Sequence, residues 1–468
     1  MILSLLLACA ATRPVVALAN DPAGGATAGA VVAAVPVSPD LEAGVTALKA
    51  KRADEAVAAF TRCLAATPEL LECRWQLGWA YWITNDWEGV VREWDALARV
   101  APTYESVATQ LPAARGQLEV RRLASAARSS AAKSYASTAP AGATVRLRAV
   151  GDLMIGTAFP AGALPPNGGA DAFTAVKPLL ADADFTFGNM EGPLCDLEAP
   201  SQKCKPDAAP GSCYAFRTPT SYMRWFDEAG FDVVSTANNH AIDFGEVCRS
   251  QTEAALDKAG ILYSGRPGTV ARWETNGLKI ALIGFHTSNS GHLLNDTATA
   301  VALVKGLTAE ADVVIVSFHG GAEGSKAIHV PAGSETFYGE DRGDLRVFTH
   351  AVVDAGADLV LGHGPHVLRA MELYKGRLIA YSLGNFATYG RFNLSGNQGI
   401  GAVLEVQLAR DGAITAGRIL GTRQEGQGIP VPDPLNAAAD LIRVLGQEDF
   451  PGTAVPIAQD GTLGVAGK

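Results

Sequence analysis

The chain has 468 residues, 48% of them hydrophobic and 18% charged, with a formal net charge of −10. That length allows about three domains of roughly 150 residues, each able to bury a core, so neither a disulfide-stapled miniprotein nor a wholly disordered chain fits. The acidic balance and the lack of a Lys/Arg cluster argue against nucleic acid as a partner.

Residues 1–19, MILSLLLACAATRPVVALA, are apolar apart from Arg13 and read as an export leader. Two processing patterns compete there. Leu6-Leu7-Ala8-Cys9 is similar to a bacterial lipobox, with Cys9 as the lipidated residue, while Ala17-Leu18-Ala19 fits small-x-small cleavage. Either one sends the protein out of the cytoplasm, to the periplasm or to a lipid anchor at the cell envelope. No other apolar stretch reaches the ~20 residues needed to span a bilayer, so membrane contact is expected only through the leader or anchor. Residues 20–36 read as a flexible segment.

Seven cysteines occur, at 9, 63, 73, 195, 204, 213 and 248. With Cys9 in the leader, six remain for an oxidising compartment. Cys195, Cys204 and Cys213 lie in a Pro-, Asp- and Lys-rich segment, evenly spaced and without a nearby His. They fit a bridge that staples a loop better than a zinc site. Cys63 and Cys73 are a further possible pair, with buried thiols as the alternative.

Residues 37–70 align with 71–104, placing Gly44 on Gly78, Phe60 on Trp94 and Pro68 on Pro102, a period of 34 residues. That period, with Leu77-Gly78 and Tyr81, resembles the tetratricopeptide repeat, although Arg74 stands where a large aromatic is usual. Leu48, Ala56, Ala59, Phe60 and Leu64 share one helical stripe, and Trp79, Tyr81, Trp82, Trp87 and Trp94 are expected to fill the stack rather than to cage a ligand. The stretch from Tyr104 to Ala127, interrupted at Pro112, is expected to cap the repeats. A small all-α domain over 37–127 therefore precedes an Ala/Ser-rich linker over 128–144, and a function for it beyond packing would be protein contact.

From Val145 to about Gly421, β-branched runs alternate with helical patterns, the mark of an α/β domain. Polar residues gather where the runs end. They are Gly151-Asp152-Leu-Met154, Gly188-Asn189-Met-Glu191, Asn238-Asn239-His240-Ala-Ile-Asp243, His319-Gly320-Gly321 and Gly362-His363-Gly364-Pro365-His366. Loops leaving strand carboxyl ends are where open sheets bind ligands, and convergent Asp, Glu, Asn and His are what a pair of divalent ions requires. A lone Asp or His at such a place is usually a cap or a structural residue; five motifs together are not. His286, His292, His329 and His350 lack such a setting and read as structural or surface residues.

These motifs, with Ser382-Leu-Gly-Asn385-Phe386, resemble the CapA family of capsule synthesis proteins associated with poly-γ-glutamate, over residues 145–424. The resemblance implies a four-layer α-β-β-α sandwich similar to calcineurin-like metallophosphoesterases. It also implies an extracytoplasmic role in producing or exporting an anionic capsular polymer, alongside that polymer's synthesis machinery. Carried over by residue, it implies a metal set of Asp152, Glu191, Asn239, His240, His319, His363 and His366, with one or two ions of Mn, Zn or Fe. Asn189, Asn238 and Asn385 would line the substrate. Met154 stands where the phosphoesterase pattern has a His, which weakens the first metal position, and two residues rather than one separate His363 from His366. For hydrolysis of a phosphoester or amide bond, His240 is the expected proton donor to the leaving group. Asp243 either orients the His240 ring or caps a helix starting near Phe244. A non-catalytic envelope scaffold is the remaining alternative. No Gly-x-x-x-x-Gly-Lys-Ser/Thr segment occurs, so no nucleotide is expected. The tail from 425 reads as an extension whose amphipathic run, Ala437 to Leu445, packs back on the domain.

Overall fold

The computed structural model describes residues 38–129, 136–159, 163–198, 200–204 and 213–464. The leader expected over 1–19, with Cys9, and the segment 20–36 lie outside the described residues. The chain divides into two compact units at Leu118/Glu119.

The first unit is built from helices α1 (Pro39–Lys49), α2 (Ala53–Ala66), α3 (Leu71–Ile83) and α4 (Trp87–Val100), followed by α5 (Val107–Ser129). The 34-residue spacing has a steric basis: a Cβ on Gly44 would come within 2.4 Å of the Phe60 ring, and one on Gly78 within 1.9 Å of the Trp94 ring. Each glycine lets the first helix of a pair press against an aromatic on the second. Trp75 stacks on Trp94 with ring centroids 4.9 Å apart, and Trp79, Trp82 and Trp87 complete the buried cluster. Trp94 Nε1 donates to the Trp75 carbonyl at 3.2 Å, so its one polar atom is satisfied inside the core. A Cys63–Cys73 disulfide joins α2 to α3. Pro112 does not interrupt the last helix. It lies inside α5, which runs past it to Ser129 at the cost of one backbone hydrogen bond.

The second unit opens with strands β1 (Thr144–Met154), β2 (Phe185–Met190), β3 (Val233–Ser235) and β4 (Leu262–Ser264). Next come β5 (Ala271–Thr275), β6 (Leu278–His286), β7 (His292–Leu293) and β8 (Val313–His319). A small hairpin, β9 (Glu335–Phe337) and β10 (Glu340–Gly343), precedes β11 (Leu359–His363), β12 (Met371–Tyr374) and β13 (Arg377–Ala380). The last strands are β14 (Asn385–Thr388), β15 (Ile400–Ala409), β16 (Ile414–Glu425) and β17 (Ile429–Pro432). They form two large sheets. The first has the order β17-β16-β15-β1-β2-β3-β4 with β14 beside β1, and the second β12-β13-β11-β8-β6-β5 with β7 beside β6.

Period-two side-chain alternation makes these sheets a sandwich. Val145, Leu147 and Ala149 of β1 face Leu278, Ile280 and Leu282 of β6 and Val313 and Ile315 of β8 in one core between the sheets. The intervening residues Ala281, Ile283, Phe285, Val314, Val316 and Phe318 face away, beneath the helices Thr297–Leu307 and Leu345–Asp354. On the far side of the first sheet, Val150, Leu153 and Val234 pack under the helices Met223–Ala229 and Gly245–Ala259. Each fully buried aliphatic side chain contributes about 1.5–3 kcal/mol. The result is four layers, helix, sheet, sheet, helix, the α/β architecture expected from the sequence. The tail is part of it: β17 extends the first sheet, and the helix Ala437–Asp449 contributes Ala438, Ala439 and Ile442 to the inter-sheet core. Among the described residues, no helix is long and apolar enough to cross a membrane.

Candidate functional site

Two rows of polar residues meet at the carboxyl ends of the central strands. In the first sheet, β1 stops pairing with β15 at Val150 and pairs with β14 from Asp152, so Asp152 lies between Asn189 of β2 and Asn385 of β14. This switch needs glycines: Asp152 N–H donates to the Gly384 carbonyl at 2.8 Å, and a Cβ on Gly151 would sit 1.9 Å from that oxygen. In the second sheet, His286, His319 and His363 occupy one level on β6, β8 and β11. His366 follows in left-handed backbone at φ 59°, an uncommon conformation for a non-glycine and one found at sites where the surroundings enforce it.

The side chains converge across the two sheets. Asp152 accepts a hydrogen bond from Asn189 Nδ2 at 2.8 Å on one oxygen and meets His366 Nδ1 at 3.0 Å on the other. His363 Nδ1 approaches it to 3.4 Å, in contact but without hydrogen-bond geometry. Glu191, in the turn after β2, meets His319 Nε2 at 3.2 Å and His366 Nε2 at 3.6 Å. Asp152, Glu191 and His366 each offer a ligand atom within 4.8 Å of the others. Glu323, which the sequence motifs do not include, joins through His366 at 3.8 Å and the buried guanidinium of Arg342 at 2.9 Å.

Burial would raise the Asp152 carboxyl, but the imidazoles of His363 and His366 outweigh it and hold the group well below the usual carboxylate range. Burial pushes Glu191 up, and the charge of Asp152 adds to that. His366 is raised against its burial by Glu191 and Asp152, whereas burial drives His286 and His319 down and keeps them neutral.

Several buried atoms here have no hydrogen-bond partner among the described residues: Glu191 Oε2, Asn239 Oδ1, His286 Nε2, His319 Nδ1 and both ring nitrogens of His363. Buried polar atoms are almost always satisfied. Carboxylate, amide oxygen and neutral imidazole are the donor types a divalent ion takes, so Glu191, Asn239, His319 and His363 fit one. Asp152, Glu191, His319, His363 and His366 are the residues that would hold it, with Asn239 at the edge.

His240 stands apart from that group. Its Nδ1 lies 2.7 Å from Asp243 Oδ2, and its ring packs on Phe216 at 4.4 Å, with Phe392 stacked behind. Asp243 also accepts the Phe216 N–H at 2.7 Å. The helix Gly245–Ala259 has Phe244 at its N-cap position and no side-chain cap, so Asp243 orients the imidazole rather than capping the helix. Asn238 receives the His240 N–H at 3.1 Å and donates to Asn189 Oδ1 at 3.2 Å, linking the pair to the Asp152 row. Asn189, Asn238 and Asn385 are fully buried, their polar atoms taken by neighbours; they sit behind the acidic group and buttress it, instead of lining the substrate as expected from the sequence.

The expected local staple is present, and a second, long-range bridge accompanies it. Cys204 bonds Cys213 as the local staple, while Cys195 reaches across to Cys248 in the helix Gly245–Ala259. Two site residues escape the sequence motifs. His286 follows the apolar run of β6 as His319 follows that of β8, a parallel that could have revealed it. Lys203 sits in the cysteine-bearing insertion with Nζ 3.2 Å from His240 Nδ1, and no motif marks it. His292 is structural as expected, with Nδ1 on the Gly284 carbonyl and Nε2 accepting the Gly268 N–H, both at 2.9 Å.

A family model described as "Bacterial capsule synthesis protein PGA_cap" matches residues 146–389. A relative named PGA biosynthesis protein CapA, from Bacillus subtilis, is 29% identical over 255 residues, 51% of this chain and 61% of that protein. The chain thus spans less than two thirds of that relative's length. Capsule biosynthesis protein CapA of Bacillus anthracis is 28% identical over 64% of this chain and 71% of its own. A probable polyglutamine synthesis accessory protein of Mycobacterium tuberculosis is 29% identical over 33% of this chain and 44% of its own. Among solved structures, a 5'-nucleotidase precursor from Thermus thermophilus aligns over 65% of this chain and 59% of that one at 15% identity. Its TM-score of 0.34 is too low to carry an argument.

Proposed function

This chain belongs to the PGA_cap family of bacterial capsule synthesis proteins, and from that membership we propose that it acts in producing or exporting capsular poly-γ-glutamate at the cell envelope, through a divalent-metal-dependent site. The observation that carries the metal-dependent part is the buried Asp152–Glu191–His366 group, ringed by imidazole nitrogens without partners. A divalent ion held there would supply Lewis acidity toward a carbonyl or phosphoryl oxygen. The chain's own residues do the rest. Asp152 and Glu191 gather the positive charge, Asn189 and Asn385 fix the carboxylate and imidazole positions, and Phe216 and Phe392 wall the His240 side from water. Asp243 holds Nδ1–H of His240, leaving Nε2 as the atom that exchanges a proton with a reacting group.

The His240–Asp243 contact favours hydrolysis of an amide or phosphoester bond as the chemistry, over a scaffold without a reaction. Three disulfides support residence in an oxidising compartment, since such bonds persist outside the cytoplasm. The helical unit, with its 34-residue repeat, is assigned contact with another protein of the synthesis machinery. Metal analysis of the full chain by mass spectrometry, with Asp152→Asn and His363→Ala beside it, tests the site. It is paired with size analysis of poly-γ-glutamate after incubation with each protein. Stoichiometric metal lost in both variants, together with wild-type-only shortening of the polymer, is the expected result. No metal at saturating manganese and zinc sinks the metal-dependent reading.

A further inference from the structure

The insertion carrying Lys203 is held against the site from several directions. The Asp243 carbonyl accepts from Gln202 N–H at 2.8 Å, Ser201 Oγ at 3.1 Å and Lys203 N–H at 3.3 Å. Ser201 Oγ in turn accepts from the N–H groups of Lys203 and Cys204 at 3.1 and 3.0 Å. Gly245, at φ +77°, leaves the space that Gln202 fills, because a Cβ there would lie 2.5 Å from the Gln202 amide. Cys204 is bonded to Cys213, and Cys195 to Cys248 on the helix that begins at Gly245. A lysine on a solvated loop would not be fixed this way.

The side chain completes the placement. Lys203 Nζ lies 3.2 and 3.4 Å from the two ring nitrogens of His240 and 3.6 Å from Asp243 Oδ1. Nδ1–H of His240 is engaged with Asp243 Oδ2, and Nζ, nearly equidistant from the two ring nitrogens, sits beside the ring without taking over Nε2. An ammonium has three N–H donors. One directed at His240 leaves two, since Asp243 Oδ1 at 3.6 Å is an ion-pair contact beyond hydrogen-bond distance, and the side chain remains 23% exposed. His286 adds a donor in the histidine row, its ring centroid 5.5 Å from that of His319. Its Nδ1 accepts the Ser288 N–H at 3.1 Å, which puts the ring proton on Nε2, a buried atom without a partner among the described residues. Acceptors therefore cluster at Asp152, Glu191 and Glu323, and unfilled donors at Lys203 and His286. A protein of net charge −10 repels a polyanion at long range, so a fixed cation at the site decides whether one docks.

We propose that Lys203 binds a carboxylate of the anionic substrate beside His240. This rests on the polymer reading above, in which the carboxylate is the free α-carboxylate of a γ-glutamyl unit. The alternative role is a counter-ion that merely neutralises Asp243.

Binding of poly-γ-glutamate to the manganese-loaded full chain, by calorimetry at two salt concentrations, separates the two. Lys203→Met is expected to weaken the polymer about tenfold or more and to flatten the salt dependence, with metal content unchanged. Lys203→Arg, which keeps the charge, should stay within about threefold of wild type. A Lys203→Met protein that binds polymer like wild type, whatever its thermal stability, overturns the proposal. Displacement of the polymer by inorganic phosphate at matched charge would reassign the anion to phosphate and overturn the carboxylate identity. A wild-type protein that does not bind the polymer removes the functional reading, and this inference with it.

Discussion

At the site end of the sandwich, the first sheet presents Asn189, Asp152 and Asn385 side by side and the second presents His286, His319 and His363, and the two rows are completed in different ways. In the first row, each side chain has a partner within the row or on the next loop: Asn189 on Asp152, Asn238 on Asn189, His366 on Asn385. In the second row, ring nitrogens on all three histidines lack partners among the described residues. Both rows are equally buried, so exposure does not explain the difference. A satisfied buried row stabilises the fold by itself, whereas an unsatisfied one costs stability until something fills it. The first row is the frame of the site, and the second is the part reserved for a ligand.

Metal binding is where this contrast should be largest. Removing a prospective ligand from either row, by Asp152→Asn or His363→Ala, should reduce bound manganese or zinc from stoichiometric to below about a tenth of an equivalent. His292→Gln, beside β6 in the same sheet, should leave metal content unchanged. Metal analysis of the three variants after dialysis decides it; full metal retention by His363→Ala would break the distinction between the rows.

His292 gives the next effect, in acid. Burial lowers its pKa to about 4, from an ordinary value of 6.5, even though the Gly284 carbonyl favours the charged form. The folded state thus holds the neutral ring, and its contribution is present above pH 6.5 and lost as pH falls toward 4. Protonation would remove the acceptor for the Gly268 N–H. Up to about 3 kcal/mol of stability should vanish across that window from this group alone. Urea unfolding of metal-free wild type and His292→Gln at pH 7, 5.5 and 4 measures it, the variant showing the shallower decline.

How far the sequence shows these features depends on whether their cause is local. The strand ends are legible because an apolar, β-branched run closing on Asp, Asn or His announces itself within ten residues, as at Asp152, Asn189, His319 and His363. His286 has the same run before it but lacks the Gly-rich flank that marks the others. Lys203 and Cys248 are invisible for a different reason: a 53-residue disulfide span and the Asp243 carbonyl bring them to the site, and nothing nearby in sequence encodes either. Asp243 shows the same limit. Its i,i+3 spacing to His240 and its position before a helix serve an orienting or a capping role equally, and only the packing of Phe216 and Phe244 decides between them.

The smallest expected effect is the most direct measure of the two rows, because it needs no metal. Asn189→Ala in the metal-free protein removes the Asp152 Oδ1 partner and leaves that carboxylate oxygen buried without one; the cost should be about 1–3 kcal/mol. His363→Phe removes two ring nitrogens that have no hydrogen bond and puts an aromatic of similar size beside Phe187, whose ring centroid is 5.7 Å away. Its cost should be within about 1 kcal/mol of zero, and loss of the unsatisfied nitrogens can make it stabilising. Chemical denaturation after chelation gives both values, and adding manganese should then stabilise Asn189→Ala but not His363→Phe. Equal destabilisation by the two substitutions without metal would mean that the histidine row, like the asparagine row, is complete in itself, and the site would have no place reserved for an ion.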